Sequence, residues 1–226
     1  MRFPRPLALL ALSLAAPAFA SGVDIAWDNC LGESGAVSLK QFACGSNTGQ
    51  DALWVSFESA VPASNIGRIE VALDFLTRTG NPLPVWWDFE DFASCRRGAL
   101  FIDVDPPHET PICARMYTST NPPTFVVDRI DYQLPTPDAG RMVVAANVTG
   151  PLLANQRYLA CRFLLSHVKT SACAGCSEPV SITVTAVRVA TIVLSNPITN
   201  NVALWQQNLP TATRASTWSA LKRLYH

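Results

Sequence analysis

The chain is poor in charge. Only 15% of its 226 residues are Asp, Glu, Lys or Arg, and the 17 basic and 17 acidic side chains cancel. Without a basic excess there is nothing to neutralise a phosphate backbone, so nucleic acid is excluded as a partner. Histidine is scarcer still: His108, His167 and the terminal His226 are the whole supply. That limits histidine-based catalysis and metal binding. G-x-S-x-G, the Walker loop, H-E-x-x-H and the dinucleotide fingerprint are all missing. No segment is apolar for the ~20 residues that a spanning helix needs. Low charge is not disorder here, because 49% of the residues are hydrophobic and the chain is long enough to bury a core.

The first segment reads as an export signal. Arg2 and Arg5 form a positive start, Pro6 to Ala16 is an apolar stretch, and Ala18-Phe19-Ala20 is a small-x-small cleavage site. Residues 1–20 are thus expected to be removed, and no cysteine follows directly to carry a lipid anchor. The remainder is placed outside the cytoplasm, secreted or periplasmic.

An oxidising compartment gives meaning to the seven cysteines. They are Cys30, Cys44, Cys95, Cys113, Cys161, Cys173 and Cys176. An odd number leaves at least one thiol over. Locality favours Cys30–Cys44, Cys95–Cys113 and Cys173–Cys176. Each of the first two closes a loop worth about 3 kcal/mol in the chain-entropy picture. Cys161 lies in the apolar run Tyr-Leu-Ala-Cys-Arg-Phe-Leu-Leu and reads as a small buried hydrophobe.

Along residues 21–199, turn signals separate short runs rich in Val, Ile, Phe, Trp and Thr, the punctuation of an all-β sandwich. In Arg68 to Phe75, Ile69, Val71, Leu73 and Phe75 alternate with polar residues. In Ala52 to Ser59, Leu53, Val55 and Phe57 do the same, with Trp54 beside the polar Ser56 and Glu58 on the other face. Val180 to Leu194 changes parity: Val180, Ile182 and Val184 are followed by Val187, Val189 and Val193. A one-residue shift predicts a bulge. Further strands are expected over Val23–Trp27, Ser38–Ala43, Val85–Phe89, Ala99–Val104, Thr124–Tyr132, Met142–Val148 and Tyr158–Val168. The fold expected is a two-sheet antiparallel, jelly-roll-like sandwich. Residues 200–226 read as a polar linker and a short helix from Ser216 to Tyr225, with Trp218, Leu221, Leu224 and Tyr225 on one face.

Several blocks resemble an unnamed family of exported bacterial proteins of uncharacterised function. They are Ile25-Ala-Trp-Asp-Asn-Cys30, Phe42-Ala-Cys44, Leu83 to Phe89 with Cys95-Arg96, His167-Val-Lys-Thr170 ahead of Cys173-Ala-Gly-Cys176, and the tail from Ser216 to Tyr225. The resemblance implies export and carries over no catalytic residue. Cys161 falls outside the pattern, which fits its being the odd thiol.

Among candidate sites, Trp86 and Trp87 with Asp88, Glu90 and Asp91 combine aromatic platforms with carboxylates, as glycan-binding faces do. Alternation along a strand allows one of the two Trp to face solvent and sends the other inward. Cys173-Ala-Gly-Cys176 has redox spacing but sits in a turn without the βαβ setting of a thioredoxin, so a structural disulfide is expected. Cys161, His167, Cys173 and Cys176 are possible zinc ligands by type. On a regular strand, however, Cys161 and His167 stand about 20 Å apart, so no metal is expected. Asp103, Asp105, His108 and Glu109 do not match a calcium loop and read as a solvated acidic turn. Asn147-Val-Thr149 is a glycosylation sequon, which matters only in a host that glycosylates secreted chains.

These readings converge on an exported, non-enzymatic β-sandwich without cofactor, with a binding or surface-structural role. Carbohydrate is the ligand that the Trp–acid cluster suggests, and a glycan or a cell-surface protein is the partner class. The alternative is a secreted hydrolase with paired carboxylates. The intact mass of the exported protein is expected to lack residues 1–20; a retained Met1 contradicts the signal reading.

Overall fold

The structure, a computed structural model, describes residues 21–89, 94–103, 112–114, 127–148 and 150–206, with backbone alone over 127–135. The strands are β1 (Gly22–Trp27), β2 (Leu39–Lys40), β3 (Gln50–Glu58), β4 (Arg68–Thr77), β5 (Leu100–Asp103), β6 (Val127–Thr136), β7 (Ala139–Asn147), β8 (Arg157–Ser166), β9 (Val180–Val189), β10 (Ile192–Leu194) and β11 (Val202–Trp205). They build two sheets. One runs β1-β3-β8-β5; the other runs β2-β11-β9-β4-β7-β6, with β10 paired to β9. All pairings are antiparallel except β11 with β2. Strands β3 and β8 pair in one sheet while β4 and β7, nested between them in sequence, pair in the other. That wrapping is jelly-roll-like.

The alternating strands do what their period requires. Leu53, Val55 and Phe57 of β3 and Ile69, Val71, Leu73 and Phe75 of β4 face one another across the core, all at most 3% exposed. The parity change in β9 is a bulge. Ala72 pairs with Ala186 and Leu73 with Val184, so Thr185 is the extra residue and Val187 returns to the core. A second bulge lies in β8, where Val55 pairs with Cys161 and Ser56 with Leu159. The step over Ala160 turns both Ala160 and Cys161 inward.

Trp54 points away from this core, as its parity demands, yet is only 6% exposed. A flap closed by the Cys30–Cys113 disulfide lies over it, and Trp54, Leu159 and the two cysteines form a separate small cluster. Arg162 stacks on the Trp54 ring at 5.3 Å.

Four expectations are corrected. Val180 to Leu194 is a hairpin, β9 and β10, turning at Ala190 with φ 53°; Val193 therefore lies on the surface, 60% exposed. Val85 to Phe89 is no strand but a single 3-10 turn over Val85–Trp87. The linker expected from residue 200 is in part a strand: β11 fills the space between β2 and β9, and Trp205 is fully buried. The helix expected over Ser216 to Tyr225, like the signal over 1–20, lies outside the described residues.

The fourth correction concerns the disulfides. The six cysteines expected to pair do pair, and Cys161 is free and buried. None of the local pairs forms. The bonds are Cys30–Cys113, Cys44–Cys176 and Cys95–Cys173, with sequence separations of 83, 132 and 78. Bonds of this kind form and persist in oxidising compartments.

The segment after β10 returns along the free edge of β1. Val23 N–H donates to Asn196 O at 2.8 Å, Ile198 N–H to Val23 O and Ile25 N–H to Asn200 O. Asp24, fully buried, accepts from the backbone N–H groups of Thr199 and Asn200 at 2.8 Å each, and its other oxygen lies 3.2 Å from Arg157. Gly22 is required there, since an added Cβ would meet Asn196 O at 2.2 Å. Replacing Trp205 by Ala removes the largest side chain that this C-terminal return buries. Its expected cost is about 3–5 kcal/mol, read as a lowered midpoint in urea unfolding of the oxidised protein.

Candidate functional site

The chemistry-bearing side chains gather at one end of the sandwich. Pro84 leads into the 3-10 turn, closed by Trp87 N–H on Pro84 O at 2.9 Å. With three residues per turn, successive side chains point about 120° apart rather than to opposite sides. Trp86 and Trp87 can therefore both face inward, and they are 0% and 1% exposed. Neither offers a stacking face for a sugar, which corrects the expectation that one of them would reach solvent. Asp88 is half-buried, and its carbonyl accepts from the Ser94 hydroxyl. Glu90 and Asp91 lie outside the described residues.

Around Trp86 the rings of Trp205 (4.8 Å), Trp87 (5.0 Å), Phe42 (6.2 Å) and Phe89 (6.2 Å) form one aromatic cluster. Trp27 joins it through Trp205 at 5.5 Å. Trp205 Nε1 donates to Cys176 O at 2.8 Å and Trp27 Nε1 to Leu204 O at 2.9 Å. The indole N–H groups of Trp86 and Trp87 are buried and have no acceptor among the described residues. Below the cluster a void of about 10 Å³ lies between the sheets, lined by Leu53, Leu73, Trp87, Met142, Phe163 and Ile182 among other apolar residues. That is space on the scale of one water, in walls that offer water no partner.

Two disulfides hold this end closed, Cys44–Cys176 and Cys95–Cys173. Next to Cys95, Arg96 is fully buried. Its guanidinium lies 4.2 Å from the centre of the Trp86 ring. Nη1 donates to Val168 O (2.8 Å) and Thr170 Oγ1 (3.0 Å), and Nη2 to Ser166 O (2.7 Å). Burial draws this group down to about 10, still well above neutral pH. Arg96 thus works as a bracket for the chain leaving β8: one charged fork satisfies three oxygens and covers an indole face.

Beside it runs a polar network. Lys40 Nζ lies 2.7 Å from Asp28 Oδ1 and 3.0 Å from Asp51 Oδ1. Asp51 Oδ2 is 3.0 Å from His167 Nε2, and His167 Nδ1 is 2.6 Å from Thr48 O. Burial pulls the Lys40 ammonium down, but the hydrogen bonds and charges of Asp28 and Asp51 outweigh it and hold it above its ordinary value. The His167 ring also stands edge-on to Phe42 at 3.7 Å. Both ring nitrogens face acceptors, a carbonyl and a carboxylate. In a hydrolytic triad one imidazole nitrogen is instead left to the nucleophile. Nor do Asp28 and Asp51 bracket an open cleft, because the Lys40 ammonium occupies the space between them.

The other sequence candidates separate. Cys173 and Cys176 are in disulfides, Cys161 points into the core opposite Val55, and His167 is held by Asp51 and Thr48, so these four share no metal centre. Burial, with the charge of Asp103 adding to it, pushes the Cys161 thiol far up, and it stays protonated and unreactive. Asp103 pairs with Arg162 at 2.5 Å; Asp105, His108 and Glu109 lie outside the described residues. Sequence reasoning missed Arg96 and the Asp28–Lys40–Asp51–His167 network. The four network residues come from four segments without a common spacing, and nothing in their local sequence marks them as neighbours.

The chain matches no protein-family model and no curated protein. For the network, Asp51→Asn is expected to lower the unfolding free energy by about 1–3 kcal/mol, because it leaves a partly buried Lys40 and His167 short of an acceptor. Equilibrium urea unfolding measures this. The double variant with Lys40→Met is expected to cost less than the sum of the two single changes.

Proposed function

We propose that the protein is exported and works outside the cytoplasm as a non-enzymatic β-sandwich, binding a glycan or a cell-surface protein or serving in surface structure. The observation that carries the reading is the disulfide set. Three bonds spanning 83, 132 and 78 residues tie the sandwich to its loops. In a cytoplasmic chain the reducing thiol pool would leave them open. The sequence of residues 1–20 supports the same placement. The polar side chains gathered at the closed end support a structural rather than a catalytic use. Arg96 serves backbone oxygens and an indole ring, and Asp51 is shared between Lys40 and His167. With Trp86 and Trp87 in the core, a glycan contact draws on other surface residues than that pair.

The reading is tested by producing the chain in two ways, with residues 1–20 through an export pathway and from Ser21 in a reducing cytosol. Only the exported form is expected to give a cooperative melting transition. Equal folding of the fully reduced form overturns the export reading. The exported protein is then applied to a glycan array and to cell-envelope preparations, where saturable retention is expected. No retention on either overturns the binding role, and cleavage of an array glycan establishes the hydrolase instead.

A further inference from the structure

Cys173 and Cys176 are separated by two residues, yet each is bonded away from the other. Cys173 holds Cys95 of the turn after the buried aromatics, and Cys176 holds Cys44 of the loop after β2. The intervening turn passes through Gly175 at φ 97° and lies hard against Pro84, where an added Cβ would meet the proline ring at 2.1 Å. In both bonds the motif's own cysteine is a buried residue (Cys173 5% and Cys176 4% exposed), whereas the distant partner is a partly exposed one. Cys30–Cys113 differs, being buried at both ends. Cys44 has one further feature: Gln206 Nε2 donates to its Sγ at 3.1 Å while also bonding Phe42 O at 2.6 Å. A donor on sulfur favours the thiolate, so Cys44 combines access for an attacking thiol with stabilisation of its released form.

We propose that Cys173-Ala-Gly-Cys176 is a thiol–disulfide exchange site at which one dithiol reductant opens both neighbouring disulfides. A thiolate of the reductant attacks Cys44 Sγ. A mixed disulfide forms, the Cys44–Cys176 bond breaks, and its electron pair leaves on Cys176. The Cys176 thiolate attacks Cys173 across the turn. The Cys173–Cys176 bond forms, the Cys95–Cys173 bond breaks, and Cys95 leaves as thiolate and takes up a proton. The second sulfur of the reductant, deprotonated, attacks its own mixed disulfide. It leaves as a cyclic or linear disulfide and releases Cys44 toward the Gln206 amide. The reductant loses two electrons and two protons, and the protons end on Cys44 and Cys95. Two protein disulfides become one, Cys173–Cys176, plus two thiols. Loss of the long-range bonds frees the loop carrying Phe42 and the turn carrying Arg96, the two covers of the aromatic cluster. This inference is independent of the binding role proposed above.

The test uses the unmodified oxidised protein and one equivalent of dithiothreitol. Samples are quenched with iodoacetamide over time and mapped without further reduction. The expected result is joint alkylation of Cys44 and Cys95, appearance of a Cys173–Cys176 peptide, and an intact Cys30–Cys113 bond. Alkylation of Cys44 and Cys176 with Cys95–Cys173 still closed overturns the relay. So does opening of Cys95–Cys173 first, reduction of Cys30–Cys113 in the same phase, or no reaction with one equivalent.

Discussion

The fold depends on how one end of a two-sheet sandwich is closed. A sandwich buries its inner faces well along the strands and poorly at the ends, where loops must supply the cover. Here the cover is the contact between Trp86 and Trp205, 4.8 Å between ring centres. The two rings come from elements 119 positions apart, a 3-10 turn and the last described strand. Phe42, Trp27 and Arg96 pack onto this pair, and the two disulfides fix the segments that bring them. Remove the contact and the loops on which Cys44, Cys95 and Cys173 sit have no surface to lie on.

What the sequence made legible was what depends on local periodicity. Ile69, Val71, Leu73 and Phe75 could face only one way along a strand, and they do. The parity change between Val184 and Val187 located a bulge to within a residue. Burial of Cys161 followed from its apolar neighbours. What was hidden depends on distance along the chain. Cys30 sits 14 residues from Cys44 but bonds to Cys113, because β1 and β3 pair side by side and the Cys30 flap crosses their outer face rather than their end. Trp86-Trp87 looked like a strand with one exposed ring, because the proline-led 3-10 turn that admits both indoles leaves no mark in hydrophobic spacing. Strand β11 is four residues between polar stretches, too short for any period to emerge, and only its pairing with β9 and β2 makes it a strand.

The candidate site was legible as ingredients and not as an arrangement. Tryptophans, acids and a paired-cysteine motif were all visible, and each took a partner that a linear reading does not offer. The acids visible near the tryptophans gave no hint of Asp51, which reaches His167 across 116 positions. Arg96, whose guanidinium lies over the Trp86 ring, carried no mark beyond its place after Cys95. Charge is scarce in this chain, and at this end it is spent mostly on tying loops to sheets.

The return of residues 196–205 also sets a schedule. Asp24, in the first described strand, accepts from the N–H groups of Thr199 and Asn200, and the Val180–Thr183 half of the outer edge of β9 is bare until β11 arrives beside it. A chain synthesised N-terminus first therefore cannot finish either sheet until residues 196–205 have emerged. During that interval β1 and β9 carry open hydrogen-bonding edges and the core has no lid at its aromatic end. Long-range closure of this kind makes folding slow and the waiting chain prone to aggregate. The last pieces to arrive, Asn196 to Trp205, are thus the ones that complete both sheets at once, so the two halves of the sandwich finish together.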